Sequence, residues 1–326
     1  MEVRQTIDIA IYNKAEELPA LRGENFFHSR ELFEIYASTP KHTPYMLVAR
    51  DDGGEELGHM LAVVRSRFSW MPPYFYQHCR ILGEGDYAEE DKAEVFGALL
   101  KALRERMEGK AFYIEVSHLS TKMFGYREFK TEGFFPVKWM SIHNSLHSKK
   151  AEERLSERMK ARLRKTKEKG VYTEDVGTKE QMEDFMRLLK KHNKLKPKRF
   201  IPEKEFFSNL AKVGNARITL TKIRDKAIGC SATVYTQGNA YLWYSASKRK
   251  SYIMLHPADT TIYEAIVRAQ NDGCQHIFFM DVGLPFRKNP YRDFILRLGG
   301  KPVSTYRWFR VNHDWLNKLF SFLYRS

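Results

Sequence analysis

The amino-acid sequence predicts an α/β (α+β) protein in which one mixed unit, a central sheet flanked by helices, occurs twice. Both halves of the 326 residues show three β-rich runs, a helix, a strand, a short helix and a closing strand, in that order. Gly133 and Gly299 align just before the two closing strands, and a proline and a valine match shortly after them. We therefore predict an internal duplication, with a first domain at residues 1–149 and a second at 150–326.

In the first half, a hairpin is predicted around the Asp-Gly-Gly turn that follows Asp51, because two apolar β-rich runs flank it. A further strand at 74–82 precedes a helix with an acidic start at Glu89, Glu90 and Asp91. A strand at 111–118 follows. The stretch after it reads as a short helix, a turn containing glycine and a closing strand.

The second half repeats this order. Residues 216–247 contain three β-rich runs separated by turn residues. A helix over 258–273 is predicted, because Pro257 suits its first turn and Gly273 suits its end. A buried strand at 276–283, a short helix and a last strand complete the unit.

Composition limits the possible functions. Hydrophobic residues make up 43% of the chain, which is enough for globular folding and excludes a largely disordered protein. The formal net charge of +15 predicts a basic surface for a phosphate-bearing partner such as nucleic acid, a nucleotide cofactor or anionic lipid. Three widely spaced cysteines favour neither a disulfide framework nor a metal site. No apolar run approaches the roughly 20 residues of a membrane span. With so few cysteines, we expect a cytoplasmic protein or one that is peripheral at the inner membrane face.

The segment between the halves, residues 147–170, is strongly basic, with ten Lys and Arg against four Glu. It predicts a helix over 148–169, since neither Gly nor Pro interrupts it, and Leu155, Met159 and Leu163 form a thin apolar stripe. Two interpretations stay open. The helix is either a solvated connection packed by that stripe or a basic face for a polyanion.

Five short motifs carry a family resemblance. They are Arg164–Val171, Ala246-Ser247, His256-Pro257, Tyr263–Ile266 and Met280-Asp281-Val282-Gly283. With the order of elements, they resemble the tandem-GNAT acyltransferase family. That family includes the Fem-type peptidoglycan-bridge aminoacyltransferases and the BioF2-like acyltransferases.

The resemblance implies transfer of an acyl or aminoacyl group to an amine, from aminoacyl-tRNA or from a thioester on coenzyme A or acyl carrier protein. No tightly bound cofactor and no metal are expected. Thioester-using relatives usually hold the cofactor diphosphate with a glycine-rich loop, yet no glycine lies between Gly238 and Gly273. Lys248, Arg249 and Lys250, just before a predicted helix, could hold a phosphate instead, or could form a solvated loop.

The resemblance places the chemistry where two central strands separate. Tyr244 and Ser247 end one of these strands, and Asp281 ends the next. Asp281 is a candidate base because an apolar run precedes it, although it could instead cap the turn that follows.

Other candidates lie nearby in the sequence. His256 is a second candidate base, and Tyr291 could protonate the leaving group. Ser247, Lys248, Arg249 and Arg287 are the candidate substrate-binding residues.

The sequence thus predicts an N-acyltransferase that acts on an amine of a cell-envelope precursor. Fatty-acyl transfer to a lipid amine and a basic binding module without catalysis remain alternatives. The last predicted helix is amphipathic, with Trp315, Leu316, Leu319, Phe322 and Leu323 on one arc. That arc could dock on the protein's own core or lie in an anionic membrane surface.

Overall fold

The computed structural model describes residues 7–68, 75–88, 92–119, 124–194, 200–280, 282–285 and 287–324. The chain divides into two compact units. The first unit contains Met1–Trp139 together with Thr305–Ser326, and the second contains Met140–Ser304. This division differs from the predicted boundary at residues 149 and 150, because the last strand and the last helix pair and pack within the first unit.

The predicted helices and strands occur in the predicted order in both halves. The first half contains β1 (Asp8–Tyr12), α1 (Arg30–Ala37), β2 (His42–Arg50), β3 (Glu56–Phe68), β4 (Phe75–Leu82), β5 (Asp86–Tyr87), α2 (Lys92–Met107), β6 (Tyr113–Ser117), α3 (Tyr126–Thr131) and β7 (Phe135–Ser145). The second half contains α4 (Glu157–Glu168), β8 (Val171–Asp175), α5 (Lys179–Asn193), α6 (Lys204–Leu210), β9 (Ala216–Ile223), β10 (Lys226–Thr236), β11 (Asn239–Ser247), α7 (Pro257–Asn271), β12 (His276–Phe279), α8 (Pro290–Leu296), β13 (Lys301–Val311) and α9 (Asp314–Leu323). The structure adds β1, α1, β5, β8, α5 and α6 to the predicted elements.

The strand order confirms the duplication. The first unit has the order β1-β2-β3-β4-β6-β13, and β5 pairs with β3. The second unit has the order β8-β9-β10-β11-β12, with β7 beside β12. In each unit one parallel pair lies among antiparallel neighbours, β4 with β6 and β11 with β12. The predicted α/β fold class with mixed sheets is therefore confirmed.

The aligned glycines occupy the same position in the two repeats. Gly133 follows α3 with a φ of 74°, and Gly299 follows α8 with a φ of 88°. A Cβ at either position would lie less than 3.0 Å from an arginine side chain, Arg310 or Arg154 respectively. Both turns therefore need glycine for its backbone conformation and for space.

The basic linking segment forms a shorter helix than predicted. The helix α4 begins only after Ser156, whose side chain accepts a hydrogen bond from the backbone N–H of Met159 and so caps the first turn. The predicted apolar stripe does pack on the core of the second unit, since Leu155 and Met159 are buried and Leu163 lies against them. Most cations of α4 are exposed, so the helix both packs and presents a basic surface.

Two buried histidines of the first unit make its stability depend on pH. Burial lowers the pKa of His28 and of His78 to about 3 in each case, and the charge of Arg65 adds to the effect at His78. Between about pH 6.5 and pH 3 the unfolded chain binds protons that the folded chain excludes, so stability falls as pH falls.

We expect each of these histidines to lower the free energy of unfolding by about 2 kcal/mol between pH 7 and pH 5. Urea unfolding at both pH values, for the wild type and for His78→Gln, measures the effect. The variant should lose less stability than the wild type on acidification. An equal loss in both proteins would show that burial does not keep His78 neutral.

Candidate functional site

The parallel strands of the second unit separate at a bulge. Pairing of β11 with β12 reaches Leu242 and Phe279, and the backbone N–H of Met280 donates to the carbonyl of Leu242 at 3.2 Å. On the other side of β11, the register with β10 shifts at Trp243, which is the extra residue of the bulge. Because β11 stays paired with β10 as far as Ser247, it continues past its last pair with β12. A bulge of this kind bends and twists a strand, which opens the sheet at this point.

A cavity of about 350 Å³ lies beside this opening, and we call it the strand-end cavity. Its polar lining comes from α5, from β11 and the loop after it, from α7 and from the start of α8. The residues that contribute are His192, Ser245, Ser247, Arg249, Thr261, Asn289 and Tyr291. The volume is at the lower end of the range for small-molecule sites.

The loop between β12 and α8 is held by side chains of α8 and its cap. Asn289 accepts from the backbone N–H of Tyr291 at 3.0 Å and donates to the carbonyl of Val282 at 2.6 Å. Arg292 donates to the carbonyls of Leu284 and Arg287, each at 2.8 Å. These bonds fix Tyr291 at the wall of the strand-end cavity.

A second, basic depression adjoins this cavity, and we call it the arginine groove. It consists of two adjacent cavities of about 300 and 370 Å³, which share Met159, Arg162 and Arg297 in their linings. Five arginines line them, namely Arg154, Arg158, Arg162, Arg249 and Arg297. Asp259 contributes a carboxylate to the lining, and this carboxylate accepts a hydrogen bond from Arg162 Nη1 at 2.8 Å. The groove and the strand-end cavity share Arg249, Ala258 and Phe294 in their linings, and the Arg249 guanidinium lies 5.4 Å from the centroid of the Phe294 ring.

The N-terminus of α7 opens into the arginine groove without a glycine. His256 takes the left-handed backbone conformation there, with a φ of 41°, directly before Pro257. Glycine adopts this conformation more readily than any other residue. It occurs here in the stretch between Gly238 and Gly273, which contains no glycine. Burial, followed by the charge of Arg162, lowers the pKa of His256 below its usual value. The side chain therefore tends to be neutral near pH 7 and could accept a proton.

Two substitutions separate the backbone role of His256 from its side-chain role. Both His256→Gly and His256→Ala remove the imidazole, but alanine keeps a Cβ in the left-handed conformation. We expect His256→Gly to be more stable than His256→Ala by about 1 kcal/mol in urea unfolding. If glycine were the less stable variant, the left-handed conformation would not be present in solution.

The structure brings some of the predicted site residues together and leaves others apart. Ser247, Arg249 and Tyr291 line the strand-end cavity, and His256 lines the arginine groove. Asp281 lies outside the described residues, so its role stays a prediction.

Three predicted residues are absent from the described cavity linings. Tyr244 is buried, with its ring centroid 5.2 Å from that of Phe207. Burial and the charge of Arg187 lower the pKa of the half-buried Lys248. Arg287 is exposed, and its carbonyl accepts from Arg292.

His192 is a site residue that the sequence analysis missed. It lies on α5, far from the motifs, in a run of lysines that also contains Asn193. The available signal was its spacing from Phe185 and Leu189, buried residues of α5, which places it on the same face. Spacing alone does not say that this face ends at a cavity.

The corresponding strand end of the first unit is filled by a buried side-chain network. His118 follows β6, and its Nδ1 lies 2.5 Å from Oε1 of Glu84. The indole N–H of Trp308 donates to His118 Nε2 at 2.8 Å. Because Nε2 accepts, Nδ1 carries the hydrogen toward Glu84, and both ring nitrogens are engaged. This arrangement suits packing rather than proton transfer to a substrate.

The comparisons with known proteins agree with this fold. Residues 153–293 match the family model for the acetyltransferase (GNAT) domain. This range contains every lining residue of the strand-end cavity except Phe294, and every lining residue of the arginine groove except Phe294 and Arg297. A search of curated protein sequences gives no significant match.

Several solved structures resemble the whole chain. FemX is 14% identical, with a TM-score of 0.60 over 88% of this chain and 97% of its own. The C-terminal domain of a putative lysylphosphatidylglycerol synthetase from Agrobacterium fabrum is 11% identical, with a TM-score of 0.59 over 91% of each chain. A tandem GNAT protein from the clavulanic acid biosynthesis pathway is 11% identical, with a TM-score of 0.56 over 94% of this chain and 99% of its own. The tandem-GNAT fold predicted from the motifs is therefore confirmed.

Proposed function

We propose that this chain is an N-acyltransferase whose reaction takes place in the strand-end cavity of the second unit. The observation that carries the proposal is the separation of β11 from β12 beside a cavity that shares part of its lining with the arginine groove. The opening gives an acyl carbonyl access to the backbone of β11. The groove offers charge for the phosphates of an activated donor.

The proposed step forms a bond between the acceptor amine nitrogen and the acyl carbon. The bond from that carbon to the donor oxygen or sulfur then breaks. The amine loses a proton to a base, and the leaving oxygen or sulfur gains one from an acid. Backbone N–H groups of Ser245–Ser247 that point away from β10 are the proposed donors to the oxyanion.

Side chains of the cavity supply the remaining roles. We assign proton removal to His192, with Asp281 as the alternative base, and protonation of the leaving group to Tyr291. Ser247 of β11 lines the same cavity and would position the acyl group. In this assignment, Lys248 and Arg287 contribute positive charge near the entrance of the strand-end cavity and do not contact the reacting atoms.

The proposed donor is aminoacyl-tRNA, and the proposed acceptor is an amine of a cell-envelope precursor. Five arginines spread along a groove suit successive phosphates better than a single compact diphosphate. The left-handed His256, in place of a glycine-rich loop, also favours a donor other than coenzyme A. FemX and a lysylphosphatidylglycerol synthetase domain are among the proteins similar in fold, which supports the same class of reaction.

Thermal unfolding with candidate donors tests the proposal. A ligand that binds the folded state raises the unfolding temperature by an amount that grows with the ratio of the free ligand concentration to its dissociation constant. Aminoacyl-tRNA should stabilise the protein more than acyl coenzyme A or acyl carrier protein, and a labelled aminoacyl group should then appear on an amine acceptor. Stabilisation by acyl carrier protein alone would favour fatty-acyl transfer. Binding without any transferred label would favour a basic binding module.

A further inference from the structure

The C-terminal helix α9 is attached to the first unit by its polar and aromatic side. Asn317 is buried, accepts from the backbone N–H of Val311 at 2.9 Å and donates to the carbonyl of Gly133 at 2.9 Å. The rings of Phe320 and Tyr324 stack on Phe135, with centroids 6.4 and 6.0 Å apart. These contacts fix the rotation of the helix about its own axis.

The opposite side of α9 is apolar and exposed. The exposed fractions are 69% for Trp315, 46% for Leu319, 70% for Phe322 and 62% for Leu323. At about 100° per residue these four side chains fall within one arc, which we call the α9 face. The alternative in which the predicted apolar arc docks on the protein's own core is therefore wrong for these four residues. An amphipathic helix usually turns its apolar side inward, so this orientation needs an explanation.

The α9 face is small for a protein partner. Fully accessible side chains of this size offer roughly 150–250 Å² each, so at the observed exposures the face presents on the order of 500 Å². A stable dimer buries about 800 Å² on each partner. The area argues against a second copy of the chain as the occupant, whereas a membrane interface needs no minimum area.

Exposed cations occur on α9 and on α3. Lys318 is exposed at the edge of the arc, and Arg127 is exposed on α3. The end of α3 is joined to α9, because Arg310 donates to the carbonyl of Glu132 at 3.1 Å and lies 4.0 Å from Asp314. An apolar arc with a tryptophan and nearby cations, on a chain of net charge +15, is complementary to a surface that is apolar inside and anionic outside.

We infer that the α9 face binds an anionic membrane surface, with Trp315 and Phe322 inserted between lipid headgroups and nearby lysines and arginines facing the lipid phosphates. Aromatic side chains favour this interfacial depth. The inference does not depend on the acyl-transfer reaction, because α9 belongs to the first unit and the proposed chemistry lies in the second.

Co-sedimentation with vesicles tests the inference on the full chain. The vesicles contain either phosphatidylcholine alone or phosphatidylcholine with about one third phosphatidylglycerol. We expect the wild type to bind the anionic vesicles and to release at high salt. The double variant Trp315→Ser, Phe322→Ser should bind them at least about tenfold more weakly. Both positions are exposed, so the unfolding temperature should change little.

A matched control removes two exposed aromatic side chains elsewhere. Phe75 and Tyr172 are 49% and 41% exposed, and Phe75→Ser, Tyr172→Ser should leave vesicle binding unchanged. Equal binding by wild type and the α9 variant, or no binding by the wild type, would overturn the inference. A concentration-dependent dimer that is lost in the α9 variant would identify a second copy as the occupant and would also overturn it.

Discussion

Replacing Tyr291 with phenylalanine is expected to lower the rate of acyl transfer by roughly 100- to 10,000-fold, with little change in donor affinity. The hydroxyl is the proposed acid for the leaving group, whereas the ring contributes only to the cavity wall. A ribose alkoxide is a poorer leaving group than a thiolate. The decrease in rate should therefore be larger for an aminoacyl ester than for a thioester. Steady-state kcat and KM with both donor types measure the difference.

Tyr263→Phe is the matched control for this variant. Tyr263 is a half-buried tyrosine on α7 that packs on the second-unit core and is outside the described cavity linings. It should retain the wild-type rate. If Tyr291→Phe also transferred acyl groups at the wild-type rate, the acid would be another group and the assignment of roles in the cavity would be wrong.

Reversing two exposed charges of the arginine groove is expected to weaken donor binding by about 100-fold or more. Arg158→Glu with Arg297→Glu removes two candidate phosphate contacts and leaves the ion pair between Arg162 and Asp259 in place. For a tRNA donor, the dependence of binding on salt should also decrease by about one unit of slope per lost contact. Filter binding over a salt series measures both quantities.

The control for this variant changes the net charge equally at a distance from the groove. Lys179 and Lys212 are exposed residues of the second unit outside the described cavity linings. Lys179→Glu with Lys212→Glu should reduce affinity only through the general loss of positive charge. Equal losses in the two double variants would mean that the groove has no specific role in holding the donor.

Much of the fold could be predicted from local sequence signals. Alternating apolar residues, turn glycines and the alignment of Gly133 with Gly299 predicted the order of elements and the duplication. The division into two units was harder to predict from the sequence, since β13 pairs with β6 across nearly two hundred residues. Strand pairings of such separation depend on tertiary contacts that no local pattern records.

The site was predicted in part for the same reason. Ser247, Arg249 and Tyr291 were found because they follow motifs at strand and helix ends, where functional groups collect. His192 was missed because a helix from an earlier part of the chain carries it to the cavity. Tyr244 was placed by its position at a strand end, but the bulge at Trp243 alters side-chain directions locally.

The helix α9 illustrates a further limit of sequence patterns. Periodicity correctly predicted an apolar arc that contains Trp315 and Phe322. It could not predict which side faces the protein, because the orientation depends on the two hydrogen bonds of Asn317 to Val311 and Gly133. A pattern defines the faces of a helix, while its contacts decide which face is buried.

The central claim is that acyl transfer takes place at the strand end of the second unit. A crystal structure with a stable amide analogue of the aminoacylated tRNA 3′ end, or with an acyl coenzyme A if that donor stabilises the protein, tests it most directly. The account predicts that the acyl carbonyl lies within hydrogen-bond distance of a backbone N–H of Ser245–Ser247, with donor phosphates against Arg158 or Arg297. An acyl group bound instead beside His118 and Glu84 in the first unit would contradict the account.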